Sequence, residues 1–210
     1  MIRILVADDH LVVREGLRRI LEEHADLKVV AEAGSGDEVM AALAGTPVEV
    51  LVLDISMPGP GVFALLERLK VEYPRLRCVV LTVHPADQYA VRILRAGAAG
   101  FLSKEQSGDL LIDAIRKAYA GGVYVSPSLA EELAAHLQST RVGEAHETLS
   151  NREFEVLVRI ASGQSVKAIG AHLGLSPKTV STYHSRIRGK LGLRSDAELT
   201  RYVMEHHLTP

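Results

Sequence analysis

Over the first 120 residues, short apolar runs alternate with longer stretches whose apolar residues recur at helical spacing. The runs cover residues 2–7, 28–33, 48–53, 78–83 and 100–102 and are rich in Val, Ile and Leu. Between them, Val13, Leu17, Ile20 and Leu21 share one helical face, as do Val39, Met40 and Leu43. Near-continuous apolar strands alternating with amphipathic helices predict a parallel sheet covered on both faces. Five such units make a doubly wound α/β domain with a five-stranded parallel sheet. Its site is expected at the carboxyl ends of the strands.

The alternation stops at Gly121-Gly122, and the pattern changes for good after residue 148. Residues 121–147 read as a linker with a short helix over about 128–137. Beyond it every periodic segment is helical. Ser150 with Glu153 forms the sequence signature of a capping box, ahead of Val156, Leu157, Ile160 and Ala161. A second helix over 166–173 ends at Gly174. A third starts after Ser176 with Pro177 in first position and runs to 191. A fourth covers about 196–206. The chain therefore reads as an α/β domain over 1–120, a linker over 121–147 and an all-α four-helix domain over 148–210.

Charge changes this picture more than composition does. The formal net charge is −2, which by itself disfavours nucleic acid as a partner. Residues 148–210, however, carry 9 basic against 5 acidic side chains, a local net of +4. That is the sign a DNA-binding module requires. Cys78 is the only cysteine and lies in an apolar run, which fits a buried, inert thiol. No apolar run approaches the roughly 18 residues of a membrane span, and a cytoplasmic protein is expected.

Three aspartates fall at the predicted ligand edge: Asp8 and Asp9 after the first strand, and Asp54 at the end of the third. Thr82 ends the fourth strand, and Lys104 follows the fifth. Carboxylates gathered so closely repel unless a cation intervenes, and a hard ion such as Mg²⁺ suits oxygen donors. One strand-end aspartate is better read as a helix cap. Five chemistry-bearing residues at the ends of four strands are not.

These residues lie in Val6-Ala7-Asp8-Asp9-His10, Asp54-Ile55-Ser56-Met57-Pro58, Leu81-Thr82-Val83 and Gly100-Phe101-Leu102-Ser103-Lys104. In that order they resemble the flavodoxin-like receiver domain of bacterial response regulators. The resemblance implies that Asp54 accepts a phosphoryl group from a sensor histidine kinase or a small phosphodonor. It implies that Asp8 or Asp9, Asp54 and the Ser56 carbonyl hold Mg²⁺, that Lys104 pairs with phosphoryl oxygens, and that Thr82 and Phe101 form the switch. Val62 stands where the family usually has glycine, with Gly61 one residue earlier. Ser56 and His84 resemble positions that tune the phosphoryl lifetime. A phosphatase using an aspartate nucleophile would typically carry a second Asp two residues on, where this chain has Ser56. The chain is therefore expected to be a phosphoacceptor and not an enzyme.

The helices 166–173 and 177–191, joined by Gly174-Leu175-Ser176, have helix-turn-helix spacing. With Leu149-Ser150-Asn151-Arg152-Glu153 and Lys190-Leu191-Gly192, they resemble the LuxR-type module of NarL/FixJ-type regulators. The second helix of the pair would enter the major groove. Val180, Ile187 and Leu191 form its expected buried stripe, leaving Ser181, Thr182, His184 and Ser185 toward base edges. Lys167, Lys178, Thr179, Arg186, Arg188 and Lys190 suit phosphates. The implied partners are a sensor histidine kinase, double-stranded promoter DNA and a second copy of the chain on phosphorylation, with RNA polymerase a further candidate. No His-x-x-x-His or Cys-x-x-Cys spacing marks a zinc site. His24, His136, His146, His172, His206 and His207 are expected on solvated surfaces, without a metal cluster.

Overall fold

The computed structural model describes residues 1–82, 87–105, 108–127, 129–131, 144–206 and 208. Contacts divide the chain into two compact units, residues 1–85 with 93–127, and residues 86–92 with 128–210. The first contains strands β1 (Ile2–Ala7), β2 (Leu27–Ala33), β3 (Val50–Asp54), β4 (Arg77–Thr82), β5 (Gly100–Ser103) and β6 (Tyr124–Val125). Helices α1 (Leu11–Glu22), α2 (Gly36–Gly45), α3 (Val62–Glu72), α4 (Asp87–Arg95) and α5 (Gly108–Tyr119) connect them, with residues 87–92 of α4 counted in the second unit. The sheet is parallel throughout, in the order β2-β1-β3-β4-β5-β6. Every residue of β3 is buried, as expected of a central strand covered on both faces. Ile4, Val6, Val52, Val79 and Leu81 pack with Leu21 of α1 and Ile112 and Ile115 of α5. Cys78 is buried within β4, and burial pushes its thiol far above the usual range.

Among the described residues the sheet has six strands where the sequence predicts five. Gly121 takes a positive φ of 90°, and Tyr124 N–H then donates to the Ala99 carbonyl at 2.8 Å. Tyr124 and Val125 thus pair with β5 and extend the first unit past residue 120. Two residues are too few to show a period of 2, so this strand reads as linker in the sequence. Of the expected linker helix, residues 129–131 are helical, and the rest lies outside the described residues.

The second unit holds a 3₁₀ turn (Ala145–Thr148) and helices α6 (Asn151–Ala161), α7 (Val166–Leu173), α8 (Pro177–Leu191) and α9 (Asp196–Glu205). Serine caps all four: Ser150, Ser165, Ser176 and Ser195 accept a backbone N–H from the first turn. Gly174 and Gly192 close α7 and α8 in the left-handed conformation, at φ of 64° and 68°. The capping box is complete. Glu153 N–H donates to Ser150 Oγ at 3.2 Å, and Ser150 N–H donates to Glu153 Oε2 at 2.8 Å. The same oxygen meets Lys190 Nζ at 2.6 Å.

Burial alone would raise the Glu153 pKa, but the bonds from Lys190 and Ser150 outweigh it and hold the carboxyl below its ordinary value. A carboxylate with a depressed folded-state pKa adds stability that is present above its unfolded value, and that stability is lost as the pH falls through the folded value. Glu153→Gln is expected to flatten the acid limb of the stability curve of this unit. Ser150→Ala is expected to cost about 1 kcal/mol at neutral pH. Denaturant unfolding at several pH values measures both effects.

Candidate functional site

Sheet register alone assembles the acidic pocket. Ala7 pairs with Leu53, so Asp8 leaves β1 beside Asp54 at the end of β3. Asp54 pairs with Leu81, and Thr82 with Ser103, which brings Thr82 and Lys104 to the same edge. Asp8, Asp54 and Thr82 are 1%, 3% and 1% exposed, so the site is sunk into the sheet end. Lys104 Nζ lies 2.5 Å from Asp8 Oδ2 and 3.0 Å from Asp54 Oδ1. One ammonium thus bridges two carboxylates.

The two acids are held differently. Asp8 Oδ1 accepts the His10 backbone N–H at 2.9 Å, and its other oxygen takes Lys104. Neither oxygen of Asp54 meets a well-aligned hydrogen bond among the described residues. Burial raises the Asp54 pKa, and the Lys104 charge only partly offsets this. For Lys104, burial acts in the opposite sense, but the bond from Asp8 and the charge of Asp54 leave its pKa raised. The ammonium is firmly charged and the Asp54 carboxylate is short of partners. Ser56 is exposed just beyond Asp54, and Phe101 is buried on β5. Gly61, at φ of 82°, caps α3 and leaves Val62 buried as the first helical residue.

Two residues here escape sequence reasoning. Arg14 donates to the Asp8 carbonyl at 2.7 Å and to Glu32 Oε2 at 3.3 Å, fixing the turn after β1. His10 Nδ1 lies 2.9 Å from Asp9 Oδ1. Adjacency to Asp8 and Asp9 was the available signal for His10. No spacing pointed to Arg14. His84 lies outside the described residues.

On the second unit, α8 buries Val180 and Ile187 completely and Leu191 in part. Lys178, Ser181, Thr182, Ser185 and Arg186 are exposed on the opposite side, and Lys167 is exposed on α7. The hydroxyls of Ser181 and Thr182 donate back to the carbonyls of Pro177 and Lys178, each at 3.0 Å. Thr179 is half-buried, its backbone N–H donating to Ser176 Oγ in the cap.

Three expected DNA contacts have other partners. His184 does not face outward: Nε2 lies 2.7 Å from Asp196 Oδ1, and its side chain is 18% exposed. Arg188 approaches the same carboxylate at 3.7 Å. Lys190 is tied to Glu153 and to the Thr148 carbonyl, an internal pairing in place of a phosphate contact. His184 sits four residues after Val180 and seven before Leu191, which puts it on the border of the buried stripe.

The histidines also depart from expectation. His146 is not solvated but fully buried, and burial holds its imidazole below the ordinary pKa. It is gathered with Glu144 and His206, against the expectation that the histidines lie scattered. His206 lies 62 residues from Glu144 in sequence, so no local pattern announces the group. His24 and His172 are half-exposed, and His136 and His207 lie outside the described residues.

Comparison with known proteins agrees with both halves. Residues 4–116 match the response regulator receiver domain, and residues 147–203 match the luxR family of bacterial regulatory proteins. Transcriptional regulatory protein UhpA of Escherichia coli K12 is 41% identical over 206 residues, covering 98% of this chain and 99% of that protein. Response regulator UvrY of the same strain is 35% identical over 209 residues, covering 99% and 96%. Among solved structures, RcsB from Salmonella enterica serovar Typhimurium, bound to promoter rprA with the phosphomimetic BeF3⁻, superposes with a TM-score of 0.74. It shares 29% identity and covers 97% of this chain and 98% of its own. No described helix is long and apolar enough to cross a membrane. The chain belongs to the response regulators that join a receiver domain to a luxR-family regulatory domain.

Proposed function

We propose that Asp54 accepts a phosphoryl group from a sensor histidine kinase, and that the phosphorylated chain binds double-stranded promoter DNA as a homodimer through α8. The observation that carries this reading is the convergence of Asp8, Asp54, Thr82 and Lys104 at adjacent strand ends. The buried oxygens of Asp54 stand there without well-aligned partners. A buried carboxylate whose close partner is a single ammonium is both an available nucleophile and a ligand for a cation.

The oxygen donors of Asp8, Asp9, Asp54 and the Ser56 carbonyl fit Mg²⁺, which would neutralise charge on the phosphoryl oxygens. Lys104 would leave its carboxylates to pair with those oxygens, and the Thr82 hydroxyl would turn toward one of them. Phe101, one strand over from Thr82, would repack with it. The chain's role is that of a phosphoacceptor that changes state, not of an enzyme that turns over.

For DNA, the outward face of α8 supplies Ser181, Thr182 and Ser185 to base edges, with Lys178, Arg186 and Lys167 to phosphates. RcsB, solved on promoter DNA, supports the same use of the module. A small phosphodonor with Mg²⁺ is expected to raise DNA affinity. Lys178→Ala and Arg186→Ala should each weaken binding to all sequences and reduce the salt dependence by about one unit of slope per lost contact. Binding isotherms over a salt series measure this. A change confined to sequence preference would contradict the assignment of these two residues to phosphates.

A further inference from the structure

At the ends of the luxR-family domain, the 3₁₀ turn meets α9 through side chains that the DNA face does not use. Glu144, His146 and His206 offer ligand atoms that all lie within 4.8 Å of one another. His206 Nδ1 is 2.8 Å from Glu144 Oε2, and His146 Nδ1 is 3.4 Å from the same oxygen. The Tyr202 hydroxyl lies 3.1 Å from His146 Nδ1, and its ring lies against His206, with centroids 4.2 Å apart. His146 is fully buried, and its Nε2 has no partner among the described residues. Among the described residues, the polar contacts of that ring are made by Nδ1, the nitrogen facing the cluster.

We propose that Glu144, His146 and His206 form a site for a divalent transition-metal ion of the Zn²⁺ class. Two imidazoles and a carboxylate are the donor set of a three-ligand zinc site with an open fourth position, and imidazole disfavours Mg²⁺ and Ca²⁺. Bonds of about 2 Å in tetrahedral geometry place ligand atoms roughly 3.3 Å apart. The His146–Glu144 separation already meets that distance. The His206–Glu144 pair, now hydrogen-bonded, has to open by roughly half an ångström to meet the same distance. Binding at Nδ1 leaves the ring proton of His146 on the unpartnered Nε2. That cost points to a moderate affinity, not that of a closed structural site. The ion would tie the segment entering the domain to its last helix, across 62 residues of sequence.

The test uses the full-length, tag-free protein, stripped with chelator and held in millimolar Mg²⁺ so that the receiver pocket does not compete. Titration with Zn²⁺ against a chromophoric chelator is expected to give one ion per chain. Co²⁺ in its place should give the visible absorption of a tetrahedral site. Zn²⁺ should also raise the thermal midpoint of the wild-type protein, because only the folded state holds the ligands together. His206→Ala and Glu144→Gln change half-buried residues and are expected to leave the metal-free fold intact. Each should weaken Zn²⁺ by at least about tenfold, since losing even an outer partner of a ligand costs that much. His24→Ala, outside the cluster, should bind as the wild type does. Wild-type affinity in both cluster variants, or no Zn²⁺ bound at micromolar concentrations, would overturn the site.

Discussion

Asp54→Asn is expected to abolish phosphoryl incorporation while leaving the receiver folded and, at neutral pH, at least as stable. The loss follows from chemistry: a neutral amide is no nucleophile toward phosphorus and supplies one anionic ligand fewer. The gain follows from the environment. Asp54 is buried, and burial raises its pKa despite the Lys104 ammonium 3.0 Å from Oδ1. A carboxyl with a raised folded-state pKa loses stability as the pH climbs from its unfolded value through its folded one. Replacing it with an isosteric amide removes that penalty, and Lys104 retains Asp8 at 2.5 Å. Intact mass after treatment with a small phosphodonor and Mg²⁺ should show one acid-labile phosphoryl in the wild type and none in the variant. Denaturant midpoints at pH 5 and 8 should diverge between the two proteins at the higher pH. Labelling that persists at the wild-type level would remove Asp54 from its role, whatever the stability data showed.

The second large effect is expected at Gly170, on α7 where that helix packs against the turn of the helix-turn-helix. A Cβ there would stand 2.7 Å from the Leu175 carbonyl oxygen, which belongs to backbone and has no flexible end to move. Leu175 N–H donates to the Gly170 carbonyl at 2.8 Å, so the close approach is held from both sides. Gly170→Ala must therefore open the turn between α7 and α8, at a cost of roughly 1–3 kcal/mol of overpacking. It also tilts α8 away from the position α7 sets for it, so DNA affinity should fall by more than the unfolded fraction explains. Gly189→Ala is the matched control. Nothing lies within 4 Å of its Cβ, and alanine in the last turn of α8 should stabilise the domain by up to roughly 0.5–1 kcal/mol. Unfolding curves of the two variants should shift in opposite directions. Equal shifts would remove the steric account of Gly170.

Much of this structure is legible in the sequence because its signals are local. β3 reads as an unbroken apolar run because both its faces are covered. The helices of the luxR-family domain announce themselves through Ser150, Ser176-Pro177, Gly174 and Gly192, each acting within one turn of its own position. The acidic pocket is legible for a different reason. Its residues lie at strand ends, and adjacent β1 and β3 bring them together. What the sequence conceals is whatever depends on a distant partner. Lys190 looks like a cation free for phosphate until Glu153, 37 residues away, is found beside it. His146 looks like one more surface histidine until Tyr202 and Glu144 are seen to enclose it. His184 reads as outward-facing until Asp196, outside its own helix, is found 2.7 Å from it. β6 fails for want of length, since two residues carry no period.

The strand-end placement of the acidic pocket also governs which length changes the receiver can survive. Asp8, Asp54, Thr82 and Lys104 are aligned by ladder register alone, at one edge of the sheet. A residue inserted or deleted at the opposite edge, where helices return to the start of the next strand, is absorbed by a surface loop. The same change within β3 or β4 turns every following side chain to the other face and carries Asp54 or Thr82 out of line by one step. Drift in length among descendants of this chain should therefore gather at the amino-terminal edge of the sheet, while the spacing from each strand to its functional residue stays fixed.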